Sequence, residues 1–157
     1  MRVGLISDTH GLLRPEVFRA FEGVDRILHA GDVGQEDILL ELGTIAPVDA
    51  VFGNTDGWDL RAILPAERSI SVAGHTLVLV HGDAFGSPTP ALLRRAYPQA
   101  DVIVYGHTHV QLTERAQGAP LTINPGAAGP ARFRLKPSVA LLDLVQGSEP
   151  HVEVIWL

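Results

Sequence analysis

Five short motifs in this chain gather residue types that bind metal ions. Asp8 and His10 are separated by one residue, Asp32 follows Gly31, Asn54 follows Gly53, and His81 precedes Gly82. His107 and His109 flank Thr108 directly after Gly106. Two carboxylates, one amide oxygen and four imidazoles make a set that suits Mn²⁺, Fe, Zn²⁺, Co²⁺ or Ni²⁺ better than Ca²⁺ or Mg²⁺. Seven ligands are more than one ion takes, so the inventory fits two divalent ions per chain if one carboxylate bridges them. Such a pair, about 3.5 to 4 Å apart, can clamp the attacking and leaving oxygens of an in-line displacement. The chain contains no cysteine, which removes disulfides, thiolate zinc sites and cysteine nucleophiles from consideration.

Ligands so far apart in sequence can meet only if the fold brings them to one edge. Each motif follows an apolar run that reads as a strand, at 2–6, 26–29, 49–52, 76–80 and 102–105. In open α/β sheets, ligands gather outside the carboxyl ends of the strands, which is where these clusters fall. The glycines beside four of them allow sharp turns and close approach to an ion. Helices are expected at 14–21, with Pro15 in the first turn, and at 36–42. That βαβαβ opening implies parallel strands with crossover helices. The stretch 54–65 reads as a loop, 69–72 and 76–80 as a hairpin turning at Ala73 and Gly74, and 90–97 as a helix. Beyond His109 the signals are mostly β, at 110–114, 121–123, 139–144 and 152–156. An α/β first half and a largely β second half are both accommodated by two mixed sheets packed face to face, with helices outside.

The length of 157 residues, without repeats or a linker, predicts one domain spanning 1–157, and the 46% apolar content supplies its core. The apolar runs are far shorter than the roughly 20 residues of a membrane span, and the start is too short in apolar residues for a secretory leader. A soluble, cytoplasmic protein is therefore expected. A formal charge of −6 argues against a broad nucleic-acid surface or an anionic membrane as partner. The same charge would repel phosphate unless bound cations inverted the local field.

Taken together, in this order and at these strand ends, the motifs resemble those of the calcineurin-like metallophosphoesterases. The likeness is to the small YfcE-like phosphodiesterase branch and runs from residue 1 to about residue 145. It implies a β-sandwich of two mixed sheets flanked by helices in four layers. It also implies two divalent ions, commonly Mn²⁺, with Asp8, His10 and His109 on one, Asn54, His81 and His107 on the other, and Asp32 bridging. Asp32, Asn54 and His81 are then the residues nearest to catalysis. The implied activity is hydrolysis of a small phosphate ester, most directly a diester, by a hydroxide held between the ions. A phosphomonoesterase or nucleotide phosphatase would share this centre and differ at its rim. The related retromer scaffold subunit has the same fold with degraded ligands and is a non-catalytic binding module, whereas all seven ligands stand here.

Around the motifs, His29 reads either as a hydrogen-bonded core residue or as a partner orienting Asp32. Asp56 matches an acidic position of the branch and reads as orienting a ligand, against an Asx-type turn into Gly57. Arg132, with Arg134 and Lys136, could meet an outer phosphate or face water, and Arg132 is the candidate substrate contact. Asn124, Pro125 and Gly126 resemble a loop that lies beside the site in the family. Thr55 stands where many relatives carry a histidine that protonates the leaving group. The apolar stretch 154–157 could finish a core strand or form the patch of a homo-oligomer.

Overall fold

The computed structural model describes residues 1–131 and 134–157. Among these, ten strands form two five-stranded mixed sheets. The first has the order β10-β9-β1-β2-β3, built from β1 (Arg2–Ile6), β2 (Arg26–His29), β3 (Val48–Ala50), β9 (Ser138–Asp143) and β10 (His151–Trp156). The second has the order β4-β5-β6-β8-β7, from β4 (Glu67–Val72), β5 (His75–Val80), β6 (Val102–Val104), β7 (Leu112–Glu114) and β8 (Leu121–Asn124). The parallel pairings β1 with β2 and β2 with β3 follow from the crossover helices α1 (Pro15–Ala20) and α2 (Glu36–Gly43). The sandwich of two mixed sheets flanked by helices, expected from the sequence, is the observed architecture.

Alternation along the strands sorts the side chains into layers. In β1, Val3 and Leu5 face the seam between the sheets, where they join Leu28, Leu77, Leu79, Val102 and Val104. Ile6 points the other way, into a layer with Val17 of α1, Phe21, and Ile38 and Leu42 of α2. A side chain at Gly4 would stand 3.0 Å from the Phe21 ring, so the glycine is what lets that helix lie flat on β1. Helix α4 (Pro90–Ala96), capped by the Thr89 hydroxyl accepting from Leu92 N at 3.3 Å, covers the far face of the second sheet through Leu93.

Three features differ from the sequence reading. The expected loop 54–65 contains a helix, α3 (Trp58–Ile63), anchored by buried Leu60. Strand β3 stops at Ala50, so Asn54 sits on a connecting loop and not directly at a strand end. The strand expected from Val110 begins at Leu112. The hairpin at Ala73 and Gly74 forms as expected, and both residues take positive φ. The C-terminal stretch finishes the edge strand β10, with Ile155 and Leu157 packed on the helical layer and Trp156 left exposed. Among the described residues no helix is long and apolar enough to cross a membrane.

Candidate metal centre

The loops after β1, β2 and β3 bring Asp8 and His10, Asp32, and Asn54 from one sheet. Those after β5 and β6 bring His81, His107 and His109 from the other. The donor atoms of these residues form an unbroken series. Asp8 Oδ1 lies 3.2 Å from His109 Nε2, which is 3.3 Å from His10 Nε2. His10 Nε2 is 3.8 Å from Asp32 Oδ2, and the same oxygen is 3.3 Å from His81 Nε2. His81 Nε2 lies 3.2 Å from Asn54 Oδ1, which is 3.1 Å from His107 Nδ1. Metal to nitrogen bonds of about 2.0 to 2.1 Å put two ligands of one ion roughly 3 to 3.4 Å apart, so this spacing fits coordination. Asp8 also lies with Asp32 and His81 in a second group whose donor atoms are all within 4.8 Å, so it borders both halves of the centre.

The backbone is bent to achieve this. Among the described residues six non-glycines have positive φ, and five of them are Asp8, His10, Asp32, His107 and His109. Such conformations cost about 1 to 3 kcal/mol each and persist where surrounding structure enforces them, typically at functional sites. Two glycines allow the close approach. A methyl at Gly53 would fall onto the Asp32 carboxylate, and one at Gly106 would come within 2.8 Å of Asp8 Oδ2.

A family model for the calcineurin-like phosphoesterase superfamily domain matches residues 1–147. The chain belongs to that superfamily. It is 37% identical to a probable metallophosphoesterase of Methanothermobacter thermautotrophicus, over 99% of this chain and 92% of that protein. Among solved structures it resembles an archaeal phosphodiesterase with TM-score 0.78 and 26% identity, covering all of both chains. It also resembles zinc-bound Vps29 of Entamoeba histolytica with TM-score 0.79 and 26% identity, over 99% of each chain.

Calcineurin-like phosphoesterases use divalent metals, and the chemistry of the donors in this one fits such ions. Asp8 is fully buried, and its Oδ1 has no hydrogen-bond partner among the described residues although His109 Nε2 is 3.2 Å away. An orphaned carboxylate oxygen facing a ring nitrogen is costly in a protein interior and is relieved by a cation between them. Two imidazoles have their tautomers set by carbonyls behind them. His81 Nδ1 donates to Ala30 O at 2.8 Å and His107 Nε2 donates to Gly86 O at 3.0 Å, which turns His81 Nε2 and His107 Nδ1 inward as lone-pair donors. Burial by itself would lower the His81 ring, but its bond to Asp32 and the charges of Asp8 and Asp32 push it up to about 9. Burial would raise Asp32, yet the His81 ring and the Thr55 amide, 2.9 Å from Oδ1, hold it well below the usual carboxylate range. In the ion-free chain a proton thus takes the place of positive charge between them.

The surrounding residues act on loops. Asp56, buried, accepts from Val33 N at 3.2 Å, Gly34 N at 2.8 Å and Gly53 N at 2.8 Å, so it ties the Asp32 loop to the Asn54 loop. His29 reaches Thr9 and not Asp32. Thr9 Oγ1 donates to Val33 O at 2.9 Å, so His29 Nε2, also 2.9 Å away, donates to Thr9 and leaves its buried Nδ1 without a partner among the described residues. Asn124 Nδ2 donates to Gly106 O and Thr108 Oγ1, both at 2.9 Å, and so pins the loop between the two late histidines. Arg132 lies outside the described residues. Two contributors escaped the sequence reading: Ser7, whose hydroxyl is 2.7 Å from Asp8 Oδ2, and Arg61, which binds the Asn54 loop. Ser7 could have been found by its adjacency to Asp8; for Arg61 no signal existed without knowing that α3 forms.

Proposed function

We propose that the chain is a phosphodiesterase that works with two divalent ions, with Mn²⁺ the first choice for reconstitution. Asp8, His10 and His109 would hold one ion, Asn54, His81 and His107 the other, and Asp32 both. The observation that carries this reading is the position of Asp32 Oδ2, 3.3 Å from His81 Nε2 on one side and 3.8 Å from His10 Nε2 on the other. When bound, such ions supply positive charge to phosphorus and its leaving oxygen and bring the pKa of water from 15.7 down towards about 7. The chain's own part is orientation. Ala30 O and Gly86 O aim His81 and His107, Thr55 N aims Asp32, and Ser7 occupies the oxygen of Asp8 that points away from His109. The names phosphodiesterase and metallophosphoesterase among the relatives support this reaction class. The likeness to Vps29 supports a second reading, a non-catalytic scaffold, which would take up metal without turnover. The test is metal analysis of chelated and Mn²⁺-reconstituted protein alongside hydrolysis of an aryl phosphodiester and the matching monoester. Two ions per chain with metal-dependent diester cleavage is the expected result. Metal uptake with no hydrolysis of either ester would favour the scaffold.

A further inference from the structure

The Asn54 loop has little regular structure of its own, yet it must present a neutral amide oxygen, a weak ligand whose usefulness depends on placement. Its carbonyls converge on one guanidinium from α3. Arg61 Nε donates to Asp56 O at 2.8 Å, and Nη2 donates to Gly53 O at 3.0 Å and Asn54 O at 3.1 Å. The face of the same group lies 4.7 Å from the centre of the Phe52 ring. Edge donation to three carbonyls with a ring against the face uses what distinguishes arginine from lysine, a rigid planar fork with several N–H groups. A cation that merely faced water would not be held by three acceptors from a single loop.

We propose that Arg61 is a positioning residue for one half of the metal centre, fixing the Asn54 loop so that Asn54 can share a cation with His81 and His107. The inference rests on the two-ion reading and adds to it that the two positions depend unequally on this support. Asp8, His10 and His109 belong to loops after β1 and β6, which Arg61 does not touch through these bonds; the Asn54 loop meets that set only at its margin, where Thr55 Oγ1 lies 3.4 Å from His10 Nδ1. Asp56 grips the Asn54 loop independently through the Gly53 amide, so loss of Arg61 loosens the loop without releasing it.

Titration of chelated wild type, Arg61→Ala and Arg61→Lys with Mn²⁺, followed by calorimetry and electron paramagnetic resonance, tests this. In Arg61→Ala one of the two ions, the one that Asn54 would share, is expected to lose about 10 to 100-fold in affinity, the range seen when partners of metal ligands are removed. The other ion keeps its affinity within about threefold, which also reports that the variant has folded. An isolated-Mn²⁺ signal should appear at concentrations where wild type shows a coupled pair. Arg61→Lys keeps the charge without the fork and is expected to fall between the two. Unchanged uptake of both ions by Arg61→Ala, or equal weakening of both, overturns the inference. A wild-type chain that takes only one ion overturns the two-ion reading itself, and this inference with it.

Discussion

At Thr55 the chain offers a hydroxyl beside the centre where an imidazolium would serve as acid. Its Oγ1 lies 3.4 Å from His10 Nδ1 and its amide is bound to Asp32, so the residue steadies two candidate ligands. A threonine hydroxyl does not protonate a departing alkoxide near neutral pH, and His29, fully buried, is shut off from solvent and substrate. Hydrolysis should therefore slow steeply as the leaving alcohol becomes less acidic. This is read from kcat/KM across a series of substituted phenyl diesters; a flat series with chemistry rate-limiting would reveal another acid. Because a placed acid gives about 10² to 10⁴-fold, Thr55→His is expected to recover part of that for alkyl leaving groups. His29 carries a separate prediction. Burial pushes its ring down to about 4, against the pull of Asp56 and Asp8. Below about 6.5 the unfolded chain takes up a proton that folded His29 refuses, so its contribution is neutral at pH 7 and turns against the fold as pH falls from 6.5 to 4. The cost reaches on the order of 3 kcal/mol at the acid end of that window. In chelated protein, His29→Gln, which can still donate to Thr9, should flatten the fall of urea-unfolding free energy with pH over that interval. An unchanged slope would place the acid sensitivity elsewhere.

The elements that carry the ligands are short, and what matters in them is how closely their loops approach. Gly53 and Gly57 make the contrast sharp. Gly53 is not at positive φ, yet a methyl there would strike Asp32, whereas a methyl at Gly57 would meet nothing within 4 Å. Gly53→Ala should cost about 1 to 3 kcal/mol from overpacking and also sharply reduce metal content. Gly57→Ala should leave metal content unchanged and stability within about 0.5 kcal/mol. Denaturant midpoints and metal analysis of the purified variants decide it, and equal behaviour of the two would mean that the loops do not pack as described. This packing also marks where reading the sequence stops. The strands of the opening βαβαβ unit were legible because apolar runs and turn residues alternate there, and β1 and β2 fall at their expected bounds. Helix α3 was not, since six residues between turn-forming neighbours have no helical signal strong enough to stand without Leu60 docking on the core. The seven candidate ligands were legible as residue types, but the left-handed backbone at five of them was not, because tertiary contacts impose it.

At the scale of the molecule, the centre straddles the seam of the sandwich. Asp8, His10, Asp32 and Asn54 come from loops of one sheet, and His81, His107 and His109 from loops of the other. In the proposed assignment each ion would take ligands from both sheets, so cations would fasten the two layers at the edge where carboxylates and imidazoles otherwise crowd together. Because the unfolded chain cannot assemble these ligands, binding free energy adds to folding free energy. Above saturation each bound ion contributes RT ln 10, about 1.4 kcal/mol, for every tenfold rise in free metal. Two ions released on unfolding therefore give about 2.8 kcal/mol per decade, and one ion gives half of that. Urea unfolding of chelated protein in Mn²⁺ buffered at a series of free concentrations measures this slope directly, without any substrate. The expected outcome is a slope near the two-ion value once both sites are filled. It should drop towards the one-ion value at lower free metal, where only the tighter site is occupied. A slope that never exceeds the one-ion value would mean that the folded chain holds a single cation, and the two-ion assignment would fall.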